Sequence, residues 1–185
     1  MPLSAPEARK KIHTRSIELN GYHREDGLWD IEAHMTDIKS YDIENQWRNG
    51  ISAGEPIHEM WVRLTLDETF LIHNVEAVTD NSPFEMCPAI TSAYKELIGI
   101  RIGRGWRRAI NEKVKGKYGC THITELLAPL ATVSFQSLMG NIQKNAAGKV
   151  GNEKHIKPMV LNSCHAWAED SEVVRMHLPE YYKES

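Results

Sequence analysis

The chain has 185 residues, 25% of them charged, with a formal net charge of −3, which is long enough for one domain, or one domain with a tail, to bury a core without staples. This near balance of charge excludes a general affinity for nucleic acid or an acidic membrane surface. No apolar run approaches a membrane span and the opening residues lack the apolar centre of a signal peptide, so a cytoplasmic location with reduced thiols is expected. Cys87, Cys120 and Cys164 are too few and too scattered for a disulfide framework.

Residues 1–11 read as a loose arm. From His13 to Tyr22 and from Gly27 to Asp37 the chain alternates, with Ile17 and Leu19 in one run and Trp29, Ile31, Ala33 and Met35 in the other. The polar segment 23–27 between them ends in Gly27, so the pair reads as a hairpin. Asp30, Glu32, His34 and Thr36 form a polar row on the opposite face of the second strand. Such a row is a solvated face, or the floor of a site if something covers it. Residues 38–57 read as a long excursion that could lid a pocket. A second hairpin follows, with His58, Met60, Val62, Leu64 and Leu66 alternating, a turn at 67–69 and a return over 71–78.

The character changes after Thr79. A turn-rich link places Cys87 before a proline, and helical patterns begin near Ala89 and again at Trp106, Ile110 and Val114. The most apolar helix follows, with Ile123, Leu126, Leu127, Leu130, Ser134 and Leu138 on one stripe, Thr121 as N-cap, Gly140 with Asn141 as stop, and Pro129 predicting a kink or break. The expected fold is α+β: a four-stranded antiparallel sheet of two hairpins packed by C-terminal helices over residues 1–140. A linker at 141–157 and a C-terminal strand hairpin or tail at 158–185 complete it.

Two constellations carry chemistry. Cys87, Cys120, His122 and Cys164, with His165 nearby in sequence and His34 and His58 as additions from the sheet, are metal-ligand types at chain turning points, although no Cys-x-x-Cys knuckle is present. Cys120 sits where the dipole of the apolar helix would favour a thiolate. Arg101, Arg104, Arg107 and Arg108 surround glycines at a helix start, a setting for a carboxylate, or simply a solvated basic face.

The runs from Thr14 to His34, Ala53 to Leu64 and Ala77 to Pro88, then Gly105 to Arg108, Gly119 to Leu126 and Cys164 to Ala166, resemble in that order bacterial domain-of-unknown-function family 2889. The resemblance covers nearly the whole chain. It extends to small cofactor-independent γ-formaldehyde lyases of aromatic-degrading bacteria, which act on lignin-derived dimers such as ring-opened phenylcoumarans. A fainter likeness to the iron–sulfur scaffold fold lacks that scaffold's Gly-Cys-Gly at the second cysteine.

The lyase resemblance implies a small aromatic substrate, no cofactor, and a base, a donor to a phenolic oxygen and an apolar slot. His58 is the preferred base and His34 the alternative, with Asp37 or Asp80 orienting it. Tyr22, Arg63 and His122 would address the phenolic oxygens. Trp29, Trp61 and Trp106 would stack on the rings, with Arg104, Arg107 and Arg108 near the substrate. The competing readings are a zinc or iron–sulfur protein using Cys87, Cys120, His122 and Cys164, and a non-catalytic module binding an aromatic acid or a partner protein. Homo-oligomerisation is compatible with each.

Overall fold

The computed structural model describes residues 3–147 and 160–184. The chain divides into two compact units, Met1–Asn145 and Ala146–Ser185. In the first, strands β1 (His13–His23), β2 (Trp29–Lys39), β3 (Pro56–Leu66) and β4 (Ile72–Asn81) form one sheet in the order β1-β2-β3-β4, antiparallel at every pair. This is the expected pair of hairpins, joined into a meander.

The period of two decides the faces. Trp29, Ile31, Ala33 and Met35 on β2 and Met60, Val62 and Leu64 on β3 are buried, and the register stacks them in cross-strand rows such as Leu19, Ala33, Val62 and Ala77. The other face carries Asp30, Glu32, His34 and Thr36 from β2, with Arg63 of β3 donating to Glu32 at 2.6 Å and to Glu76 at 2.8 Å.

Helices cover the apolar face. A 3-10 helix at Cys87–Leu97 buries Tyr94 and Leu97, α1 (Trp106–Lys113) buries Trp106 and Ile110, and α2 (Thr121–Ala147) contributes Ile123, Leu126, Leu127, Leu130 and Leu138 to the same core. Removing those five side chains of α2 from water is worth roughly 10 kcal/mol in transfer terms. The predicted stripe is therefore correct, but the helix is longer and unbroken. Pro129 lies inside it; the carbonyl it leaves unpaired belongs to Glu125, whose side chain is exposed, where water can replace the lost donor. Gly140 does not stop the helix, since one interior glycine costs only about 1 kcal/mol against Ala.

α2 crosses the sheet closely. A Cβ on Gly21 of β1 would lie 2.0 Å from Ser137 Oγ and 2.9 Å from Ser137 Cβ, so only glycine lets helix and strand meet. Gly21→Ala is expected to cost about 1–3 kcal/mol as overpacking. Urea unfolding measures it, and Gly21→Ala with Ser137→Gly should regain part of the loss.

The turn between β3 and β4 is built on Asp67, whose Oδ1 accepts from the Thr69 amide at 2.7 Å and the Leu71 amide at 3.1 Å, while Oδ2 meets His73 Nε2 at 2.9 Å. Burial acts to raise its pKa, but the hydrogen bonds from Thr69, His73 and the Leu71 amide outweigh it and hold the carboxyl at about 2. A folded pKa below the unfolded value of 3.8 means the stabilisation is present above pH ~4 and is lost as pH falls toward ~2. The stability gap between wild type and Asp67→Asn should therefore be full at neutral pH and close across that window.

In the C-terminal unit, α3 (Glu172–His177) starts at Ser171, whose side chain accepts from the Val174 amide, and 3-10 turns lie at His165–Trp167 and Pro179–Tyr181. No strand forms among its described residues, so of the strand hairpin or tail expected at 158–185 the hairpin does not form. The serine cap with Glu172 in the first turn outweighs the β preference of Val173 and Val174. Of the expected linker at 141–157, residues 141–147 belong to α2 and 148–157 lie outside the described residues. No helix among the described residues is long and apolar enough to cross a membrane.

Candidate active site

The apolar face of the sheet ends in a polar row. Arg15, Asp37 and His58 are direct cross-strand partners on β1, β2 and β3, and each continues the inward phase of its strand. The register of β2 against β3 shifts immediately after this row, between Asp37 and Ile38, and such bulges re-aim side chains where they occur. The first turn of α2 closes over the row with His122, whose ring lies 3.7 Å from that of His58 between centroids, tilted by 32°.

Asp37 is the centre. Its side chain is 4% exposed, and the carboxylate accepts Arg15 Nε at 2.9 Å and Arg15 Nη2 at 2.8 Å, a two-pronged clasp. His13 Nε2 stands 2.7 Å from Oδ1. On the other oxygen, His58 Nδ1 approaches to 3.3 Å and His122 Nε2 to 3.8 Å. Arg15 also reaches Glu125 of α2 at 2.7 Å, tying strand to helix.

The start of α2 is held by Tyr94. Its hydroxyl accepts the Cys120 amide at 2.9 Å and donates to the Cys120 carbonyl at 2.8 Å. Gly119 precedes it because a Cβ there would fall 2.0 Å from the Val114 carbonyl oxygen. These contacts fix the position of His122 two residues on, and Cys120 Sγ lies 3.8 Å from its Nδ1.

Charge is uneven across the row. Burial acts to raise the pKa of Asp37, but hydrogen bonds from Arg15 and His13 hold it at about 2. Burial, then the neighbouring His122, push His58 down to about 4 against the pull of Asp37. Burial and Arg15 lower His122 as well. At neutral pH the site is thus one carboxylate clasped by one guanidinium, beside two uncharged imidazoles. His58 Nδ1 is buried without a hydrogen-bond partner: its approach to Asp37 is close but not aligned for donation. The side chain keeps 17% exposure, which must belong to its other atoms.

The remaining expected residues lie elsewhere. His34 is on the opposite face, stacked on Trp61 at 3.6 Å and 3.1 Å from Glu59, and Trp61 Nε1 donates to Asp80 at 2.8 Å. A shallow groove of about 250 Å³ there is lined by Trp61, Arg63, Glu32, Glu76 and Val78. Tyr22 pairs with Asp30, seven residues along β2 from Asp37 and so about 23 Å away. Trp29 and Trp106 are 8% and 5% exposed; both are core residues, and Trp106 donates to the Leu127 carbonyl. Arg104, Arg107 and Arg108 are exposed, with Arg108 paired to Glu112.

Of the cysteines, Cys120 borders the site, while Cys164 is exposed and belongs to the C-terminal unit. The group of metal-capable side chains gathered among the described residues is Asp37, His58 and His122, with ligand atoms within 4.8 Å of one another. Cys87 is not in it.

Two features escaped the sequence. His13 and Arg15 share the phase of Leu19, which was the available signal. The excursion between β2 and β3 is also pinned rather than loose. Asn45 accepts the Trp47 and Arg48 amides and donates to the Pro83 carbonyl, and Arg48 donates to the Pro56 carbonyl, two residues from His58. This sets Trp47 edge-on to Phe84 at 5.0 Å, both 46% exposed, on a groove of about 800 Å³ that Glu44, Gln46 and Asn49 also line.

No curated protein matches the chain, and no solved structure does. The residues of the polar row, from His13 on β1 to Glu125 on α2, all fall within residues 13–136, the stretch matched by the family described as "Protein of unknown function (DUF2889)", and the chain belongs to that family.

Proposed function

We propose that the chain is a cofactor-independent carbon–carbon lyase that releases formaldehyde from lignin-derived phenolic dimers, converting a ring-opened phenylcoumaran to a stilbene. The observation that carries the reading is the arrangement of His58 against a buried, clasped Asp37 with His122 on its ring. An imidazole that is uncharged at neutral pH is free to take a proton, and the fixed carboxylate 3.3 Å away favours the imidazolium for as long as the step needs it.

The chemistry balances within the substrate. In the quinone-methide form, His58 takes the proton of the CH2OH group and the O–H pair becomes the C=O bond of formaldehyde. The C–C bond breaks, its electrons form the stilbene double bond, and the quinone-methide oxygen becomes phenolate. The proton on His58 then passes to that phenolate. No electrons leave the substrate, so the step needs no redox cofactor. His122, partly exposed beside His58, is the donor to the phenolic oxygen. Trp47 and Phe84, rather than the core indoles, supply the ring-binding wall. In the cytoplasm, where this reading places the reaction, the three thiols stay reduced.

Formaldehyde release and the rise of stilbene absorbance on incubation with a ring-opened phenylcoumaran dimer test the proposal, and absence of both removes it. Trp47→Ala should raise KM by about 5–10-fold with kcat little changed, since an aromatic pair is worth about 1–1.5 kcal/mol.

A further inference from the structure

We infer that Asp37, His58 and His122 form a binding site for a divalent transition metal ion of the zinc type. Three observations carry it. The ligand atoms lie within 4.8 Å of one another. His58 Nδ1 is buried and has no hydrogen-bond partner, so a lone pair there faces the Asp37 carboxylate oxygen at 3.3 Å with no proton between them, a cost that a bound cation removes. The spacing also suits the ion: zinc–ligand bonds of about 2.0–2.1 Å at tetrahedral angles put donors about 3.3 Å apart, and His58 Nδ1 and His122 Nε2 stand 3.3 and 3.8 Å from Asp37 Oδ2.

Donor type selects the metal. Two imidazole nitrogens and one carboxylate oxygen favour zinc, copper, nickel or iron over magnesium or calcium, which prefer all-oxygen shells. Arg15 does not forbid the ion, because Glu125 pairs with the same guanidinium: together Asp37, Arg15 and Glu125 carry one net negative charge. Cys120 Sγ faces the other nitrogen of His122, Nδ1, at 3.8 Å, and so stands behind that ligand rather than among the three donors.

Binding has a consequence that, unlike the binding itself, rests on the lyase reading. A metal on the His58 lone pair takes the base out of use, so zinc inhibits formaldehyde release and the same three side chains serve either the substrate or the ion.

Chelator-treated full-length protein, titrated with Zn2+ in a calorimeter, should take up one ion per chain in the micromolar range or tighter and ignore Mg2+. His58→Ala and His122→Ala should each weaken binding at least tenfold, while His73→Ala leaves it unchanged, with circular dichroism confirming each fold. Co2+ should give visible bands without a thiolate charge-transfer band. The metal site is overturned by no uptake, by uptake indifferent to both histidines, or by a thiolate band that Cys120→Ser abolishes. Formaldehyde release that falls as Zn2+ is added supports both inferences. Zinc uptake with no release from either form leaves the metal site standing and removes the lyase reading. Release that requires Zn2+ leaves the metal site standing and overturns both the inhibitory role and the cofactor-independent reading.

Discussion

His58→Ala should lower formaldehyde release by about 10²–10⁴-fold, the usual contribution of a positioned general base, while leaving the protein folded. The side chain is partly exposed and makes no aligned hydrogen bond at Nδ1, so its removal leaves a small polar gap at the edge of the core rather than a hole within it. Such a gap invites a test that a merely structural role would fail. Free imidazole in the assay should restore part of the activity of His58→Ala and do nothing for Trp47→Ala. Turnover at the wild-type rate in His58→Ala would remove it as the base. His122→Ala, which deletes a donor to the phenolic oxygen, should cost less in kcat than the loss of the base.

The second large effect is on stability. Arg15→Ala is expected to destabilise the fold by about 3 kcal/mol, because it strands a carboxylate that is 4% exposed and unpaired buried charges typically cost 3–5 kcal/mol. His13 remains as a partner for Asp37, which keeps the figure at the low end. Asp37→Ala should cost less, since Arg15 is one-third exposed and keeps Glu125. Combining Arg15→Ala with Asp37→Asn should recover at least ~1 kcal/mol by removing the stranded charge. The measurement is the urea midpoint at constant slope, and Arg15→Ala within ~0.5 kcal/mol of wild type would show that Asp37 does not depend on the clasp.

Most of the fold is legible in local periodicity. The alternation of Trp29, Ile31, Ala33 and Met35 and the stripe from Ile123 to Leu138 are each the direct imprint of burial on one face. The same rule marks the site: Asp37 and His58 are polar residues standing in the inward phase of their strands. It also separates His34, Trp61 and Arg63, which fall out of phase and therefore onto the other face. Their grouping with His58 followed residue type where period should have governed. The same holds for tryptophan: Trp29 stands in the alternating row of β2 and Trp106 at helical spacing with Ile110, so period marks both as core, whereas Trp47 lies in the excursion between strands where no period applies. The clasp of Arg15 on Asp37 depends on the register between two strands, and its link to Glu125 on a helix that arrives much later in the chain. At the C-terminus the hairpin alternative fails locally: Val173 and Val174 favour a strand, but the Ser171 cap sets a helix.

That late arrival shapes how the protein is made. Arg15 and Glu125 are 110 residues apart, and the site completes only when α2 docks on a sheet whose strands end at Asn81. On a ribosome adding roughly 5–20 residues per second, β1 to β4 wait several seconds with Ile31, Leu64 and their neighbours uncovered. During that interval the nascent sheet is a natural client for a chaperone. A truncation before Thr121 would therefore yield an aggregating fragment rather than a smaller working protein.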